Sequence, residues 1–396
     1  VTPPPAPGPH PPDRLRGLPV MVCAQVSLHA ASTGMRIVGP LLLLRSGAPA
    51  WQVGLLLACF GLGPVGFAWP VGRVVDRRGY PPAMSVVLAL AALAGVLSVL
   101  ASLLDGAARL GLLCAAAAAA GGAANAGMVV AQRTAARMAP DPARLRGAFA
   151  WVGVAPPVAN LLGPVAAGAM FDAAGATVAL AGLLGFVVLA VALVRLARTP
   201  AVPVQAARAD APSPIELLRH PTVRRMMLVD LLITGGWDIH GFIVPTLGHA
   251  RGLSATAIGT VFGLFAAGVA AVRAAIPWLA HRLRESSVLT GALVASGAIY
   301  AIYPLGESAA YMGACALALG VAIGAAQPMV LSAIHQAVDE RQRGGVLALR
   351  TMWVGLGSVT VPIGLAAAVA AIGPSAMLWA VGAAVAAGSA AARPRR

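Results

Sequence analysis

The sequence predicts an all-α membrane protein of twelve transmembrane helices, arranged as two pseudo-symmetric six-helix bundles. Three observations predict it: a composition too apolar for a water-facing surface, twelve apolar runs of bilayer length, and a repeat relating the two halves. The 396 residues are 59% hydrophobic and 10% charged, with a mean hydropathy of +0.83. A soluble domain carries about 25% charged residues. Lipid is therefore the solvent for most of this chain.

A helix needs about 20 largely apolar residues to cross the hydrocarbon core. Twelve runs satisfy this: 20–44, 53–71, 83–104, 108–131, 147–170, 176–195, 225–248, 256–279, 288–305, 309–332, 345–370 and 374–392. Short polar or Gly/Pro-bearing turns separate most of them. Pro200, Pro203, Pro212, Pro214 and Pro221 mark the exception, a linker. The expected organisation is a tail (1–19), a first bundle (20–197), the linker (198–222), a second bundle (223–392) and a short tail (393–396). Pro3 to Pro12 lacks the charged-then-apolar order of a cleavable signal, so the first apolar helix is expected to stay as a signal anchor.

The repeat is read by shifting the sequence. A shift of 205 lays Val53-Gly54 on Ile258-Gly259, Gly47 on Gly252, Pro40 on Pro245 and Arg77 on Arg282. A shift near 202 lays Asn125 on Gln327 and Arg133 on His335. A duplicated six-helix unit is a common transporter plan.

Net charge is +15, which invites a nucleic-acid reading. The distribution of Arg decides against it. With the N-terminus inside, 22 Arg fall on cytoplasmic segments, Arg45, Arg109 and Arg251 on the other side, and Arg36, Arg273 and Arg350 within spans. That asymmetry is the positive-inside pattern of a multi-pass protein with both termini cytoplasmic, in a bacterial-type inner membrane. The chain has no Lys, which excludes a Walker A nucleotide loop and Schiff-base cofactor chemistry. Cys23, Cys59, Cys114 and Cys315 lie in apolar runs without metal-ligand spacing. No enzyme activity, cofactor, metal, ATP or nucleic acid is implied; the expected partners are a small molecule, protons and the bilayer.

The segment Gly72-Arg-Val-Val-Asp76-Arg77-Arg78-Gly79, between spans two and three, resembles the signature loop of the major facilitator superfamily. Tyr80-Pro81-Pro82 replaces the family's basic tail, and Pro277-Trp-Leu-Ala-His281-Arg282 resembles a decayed second copy. The resemblance implies a cytoplasmic gate, with Asp76 at the N-terminus of span eleven near Gly344-Gly345. A carboxylate is stabilised at that end of a helix. Span five carries Gly163-Pro164-Val-Ala-Ala-Gly168, similar to the family's proton-antiporter motif, with Ala167 standing where the motif has Gly.

The resemblance also implies that spans one, four, seven and ten surround a central cavity, with spans three, six, nine and twelve on the lipid side. Between their ends, the four expected outer spans hold no Asp, Glu, Arg or His. The inner ones hold His29, Arg36, Asp230, Asp238 and His240, with Asn125 and Gln327. Intramembrane ionisable groups are costly and usually face a bundle interior or a water path. Gln25, His29, Ser32 and Arg36, spaced by four, three and four, form one stripe about 16 Å long.

Span seven presents carboxylates against this cation. Asp238, at mid-span, is the expected proton-coupling group, with Arg36, His240 and Asp230 in support; a permanent Asp238–Arg36 pair is the structural alternative. Asp230, a turn from the span end, is as well suited to a structural partnership with an Arg. Arg273 and Arg350 either snorkel or bind an anionic group. Gln132, Asn160, Thr234, Trp237 and Trp353 are further expected wall residues. The functional expectation is proton-coupled export of a small or amphipathic organic molecule by alternating access. Proton-linked uptake of an organic anion and a non-transporting sensor are the alternatives.

Overall fold

The computed structural model describes residues 17–139, 142–196, 218–279, 284–336, 338–339 and 343–392. Among these residues every regular element is helical. Nine stretches are long and apolar enough to cross a bilayer. Two of the nine are double. Gly147–Leu196 and Leu349–Ala392 turn at Gly175 (φ 83°) and Gly373 (φ 79°), backbone conformations that residues with a Cβ rarely adopt. Each therefore supplies two crossings. Leu18–Arg45, a helix of 28 residues diluted by its polar stripe, supplies the remaining one. The chain thus has twelve transmembrane helices in two pseudo-symmetric bundles.

Span one is Leu18–Arg45, span two Ala50–Arg78, span three Tyr80–Ser102 and span four Gly106–Met138. Span five is built from Pro142–Gly153 and the start of Ala155–Leu196, whose remainder after Gly175 is span six. Spans seven to ten are Pro221–Ala250, Ala255–Leu279, Glu285–Ile302 and Ala309–Gln336. Spans eleven and twelve share Arg343–Ala392. An even number of crossings puts Leu18 and Ala392, the outermost residues of the described helices, on one face of the bundle, called here the terminal face; the opposite one is the far face.

Most helices extend past the apolar runs that define them. The largest departure concerns Gly72–Gly79, expected as a loop. Span two stays helical through Arg78, and the chain turns only at Gly79 (φ 77°). Arg133 and Arg137 of span four hold this last stretch, donating 3.0 Å hydrogen bonds to the carbonyls of Gly72 and Val75. Cations suit the carbonyl end of a helix. Arg77 and Arg78 are exposed, and the Asp76 side chain lies outside the described residues. So do His281 and Arg282 of the second copy and most of the linker.

Small residues set how the bundles meet. A Cβ on Gly54 of span two would sit 2.7 Å from the Pro362 carbonyl oxygen of span eleven. A Cβ on Gly259 of span eight would sit 2.2 Å from the Pro164 carbonyl oxygen of span five. Gly54 and Gly259 are the pair the 205-residue shift superimposes, so the repeat reappears as two equivalent seams. Gly168 adds to the second seam, where its Cβ would meet the Ala255 carbonyl at 2.3 Å. In membranes such close approach gains packing that bulkier residues forbid.

These crossings lie in the far halves of the spans. In the terminal halves, Gly66 of span two and Gly153 of span five have nothing within 4 Å of a would-be Cβ. These crossings hold the bundles together toward the far face. Exposed aliphatics such as Leu93, Val96, Val188, Leu189 and Val294 lie on spans three, six and nine, as expected of the lipid side.

Candidate functional site

Between the two bundles lies a cavity of about 1350 Å³, its open mouth included. Its walls come from spans one, two, four, five, seven, ten and eleven. Span one supplies His29, Ser32, Thr33 and Arg36; span seven supplies Thr234, Trp237 and Asp238. Asn125, Asn160, Gln327 and Arg350 complete the polar lining. A second, smaller recess, about 550 Å³ with its opening into the cavity included, shares Thr33, Arg36, Asn160, Trp237 and Asp238 with the first. It reaches toward the far face along Leu57, Pro164, His240, Gly241, Phe262, Phe265 and Pro362.

Arg36 and Asp238 thus stand at the junction of the two spaces. They are within electrostatic reach of each other. No salt bridge joins them among the described residues. Arg36 instead lies over the Phe60 ring, 5.0 Å from its centroid, a contact worth about 0.5–2 kcal/mol depending on desolvation. The Ser358 hydroxyl of span eleven sits beside the Asp238 carboxyl. Asp238 is 8% exposed, so its charge faces the cavity through a narrow window.

Asp230 has a different partner. Its carboxylate, fully buried, accepts a 2.9 Å hydrogen bond from Arg350, whose side chain is 21% exposed. One turn along, Trp353 donates its indole N–H to the Met227 carbonyl at 3.0 Å. The two contacts bind span seven to span eleven. Trp353 is therefore in a helix seam, away from the cavity where it was expected. Arg350 reaches the lining with its charge engaged.

Two more expected wall residues are placed elsewhere. Gln25 is buried and donates to the Ala124 carbonyl of span four at 3.0 Å, so the stripe on span one reaches the cavity through three residues instead of four. Gln132 lies beyond the lining, exposed near the terminal end of span four. Arg273 of span eight hydrogen-bonds Gln327 and so holds that amide against the cavity wall. His240 lines only the recess, stacked on Phe265 at 4.3 Å.

Gly163 packs without lining either space, whereas Pro164 both packs against span eight and lines the recess. A Cβ on Gly163 would meet the Ala30 carbonyl and the Thr33 hydroxyl, both at 2.3 Å. The motif in span five thus seats span one on one side and span eight on the other.

Sequence reasoning missed Thr33, Phe60, Ser358, Phe262 and Phe265. Phe60 and Phe265 are 205 residues apart, so the repeat itself relates the ring under Arg36 to the ring under His240.

The sequence from 21 to 362 matches the family model of the Major Facilitator Superfamily. The chain belongs to that superfamily. It is a multi-pass membrane protein of the secondary transporter class. Solved structures of the same fold include the human organic anion transporter MFSD10 (TETRAN), at 18% identity and a TM-score of 0.67, covering 97% of this chain and 100% of that one. A POT family transporter in complex with a thioalcohol-conjugated peptide has 11% identity and a TM-score of 0.75, covering 95% of each chain. A bacterial homolog of the human lysosomal transporter Spinster, inward-facing and unoccupied, has 15% identity and a TM-score of 0.69, covering 96% and 93%. At these identities the likeness is one of fold. No curated protein sequence matches the chain.

Proposed function

We propose that this superfamily member is a proton-coupled exporter of small or amphipathic organic molecules, with its terminal face in the cytoplasm of a bacterial-type cell. The observation that carries the reading is the placement of Asp238 and Arg36 on one cavity wall system without a direct ion pair. A carboxylate locked to a cation at contact distance is a poor proton carrier. One that senses the cation across open space changes its interaction when either a proton or a substrate arrives. Protonation cancels the attraction between spans one and seven. A substrate in the cavity competes for the same charges, so proton and substrate exclude each other and exchange as the bundles rock.

The gate expected at Gly72, Asp76, Arg77, Arg78 and Gly79 belongs to this reading. In it, Asp76 latches the terminal face when the far side opens, and Arg133 and Arg137 keep its helix rigid. The motif Gly163, Pro164, Gly168 serves the opposite seal. His29, Ser32, Asn125, Asn160, Thr234, Trp237 and Gln327 form the polar wall that meets substrate, and Asp230 with Arg350 fixes span seven against span eleven.

Oriented vesicles carrying a pH-sensitive dye test the direction. A panel of organic cations, neutral molecules and acids is added to one side under an imposed proton gradient. Export predicts that an active compound and protons move in opposite directions. Arg36, with no carboxylate in salt-bridge contact, favours a second reading, uptake of an organic anion with protons. Movement in the same direction supports that reading and overturns export; no movement under any gradient supports the sensor alternative.

A further inference from the structure

The recess beyond Arg36 is chemically unlike the cavity it opens from. Only 5% of the chain is aromatic, yet Trp237, Phe262 and Phe265 converge there with His240. Their rings are already arranged as a ring-binding wall. His240 stacks on Phe265 with an interplanar angle of 19°, and Trp237 meets Phe265 edge-on at 89° and 4.7 Å. Phe262 closes on His240 at 5.0 Å. Aromatic pairs favour these offset-stacked and edge-to-face geometries; His240 and Phe265 are buried in their own stack, and the partly exposed Trp237 and Phe262 present ring surface to the recess.

Two of the polar side chains in the recess have no partner within the protein. His240 is 1% exposed, and neither of its ring nitrogens has a hydrogen-bond partner. The indole N–H of Trp237 is also buried without one. Buried polar groups are almost always satisfied, and those left over ask for an explanation. At the mouth stands Arg36, whose planar guanidinium suits a carboxylate in two-point contact, with the Asn160 amide beside it. Asp238 shares the mouth and disfavours a second anionic group close to it.

We infer that this recess is a subsite for a planar aromatic ring bearing one hydrogen-bonding substituent, and that aromatic monocarboxylic acids are its ligand class. The ring lies against Trp237 and Phe262, its substituent pairs with His240, and its carboxylate meets Arg36. This deepens the reading of the chain as a small-molecule transporter and rests on it.

Calorimetry on the full purified chain tests the subsite with 4-hydroxybenzoate, benzoate and cyclohexanecarboxylate, which share one charge and nearly one size. The expected order is 4-hydroxybenzoate tightest, benzoate about tenfold weaker, cyclohexanecarboxylate weaker again, a comparison that needs no variant. His240→Phe keeps the ring stack and is expected to bind the two benzoates equally. Arg36→Gln is expected to weaken all three acids. Equal affinity of the three acids for the unaltered chain overturns the subsite, and so does a hydroxyl preference that survives His240→Phe. Transport fails or stands separately. Acid binding with no proton movement keeps the subsite and rejects coupling, whereas proton-driven flux of compounds lacking a ring, with no acid binding, rejects the subsite and keeps coupling.

Discussion

Asp172, at the far end of span five, accepts two hydrogen bonds from Thr256 at the start of span eight, 2.7 Å from its amide and 2.6 Å from its hydroxyl. The Ala255 amide adds a third at 2.9 Å, and Arg45 stands 3.6 Å away over the Phe171 ring. A carboxylate of the first bundle thus caps a helix of the second, satisfying amides that have no partner in their own helix. The clasp sits where the glycine crossings hold the bundles together.

Removing this clasp is expected to favour opening on that side. Charged caps at a helix N-terminus contribute about 0.5–2 kcal/mol. Asp172→Ala should therefore raise the far-open population by roughly tenfold, about 1.4 kcal/mol. With Leu57→Cys as the reporter in a chain whose native cysteines are replaced, an impermeant thiol reagent applied at the far face should label faster by that factor. Unchanged labelling would show that the glycine seams hold the seal alone.

The seams carry their own prediction. At Gly168 and Gly259 a Cβ would lie 2.3 and 2.2 Å from a backbone carbonyl of the opposite bundle, and backbone cannot step aside as a side chain can. Gly259→Val should lower the melting temperature and reduce flux more than tenfold. Gly147→Ala, in open space, serves as the control and should leave both unchanged. Equal effects of the two substitutions would contradict the assignment of the seam.

Asp230 and Arg350 are expected to behave as a structural pair. Removing one partner strands a buried charge, which costs about 3–5 kcal/mol in a dry interior and somewhat less here, because Arg350 is partly exposed. Asp230→Asn or Arg350→Gln alone should lower thermal stability clearly. The double variant should recover part of the loss, and its proton-to-substrate ratio should match the parent chain. A double variant that loses proton coupling would return Asp230 to the coupling role.

Much of the architecture was legible because the bilayer imposes it. Apolar runs, Gly/Pro turns and the one-sided Arg distribution are each dictated by desolvation costs that act residue by residue. Gly175 and Gly373 were readable as turns for the same reason. The cavity was legible only where periodicity and charge coincide, as at His29, Ser32 and Arg36. Gln25 shares their face, but span one outruns the cavity, and span four closes over it. A helical stripe records direction around an axis and says nothing of where a neighbour begins. Phe262 and Phe265 were unreadable because rings in an apolar helix look like packing until His240 is brought against them from another span. Ser358 is one hydroxyl among many, and only its approach to Asp238 distinguishes it.

Coupling turns on Asp238 exchanging a proton with the cavity in the presence of Arg36. Substrate-triggered proton movement, read by an internal pH dye in oriented vesicles, compares the parent chain with Asp238→Asn directly. A clear proton signal is expected from the parent and none from Asp238→Asn, whose ligand binding, unlike the parent's, is expected to be independent of pH. A proton signal of parental size from Asp238→Asn would contradict that role.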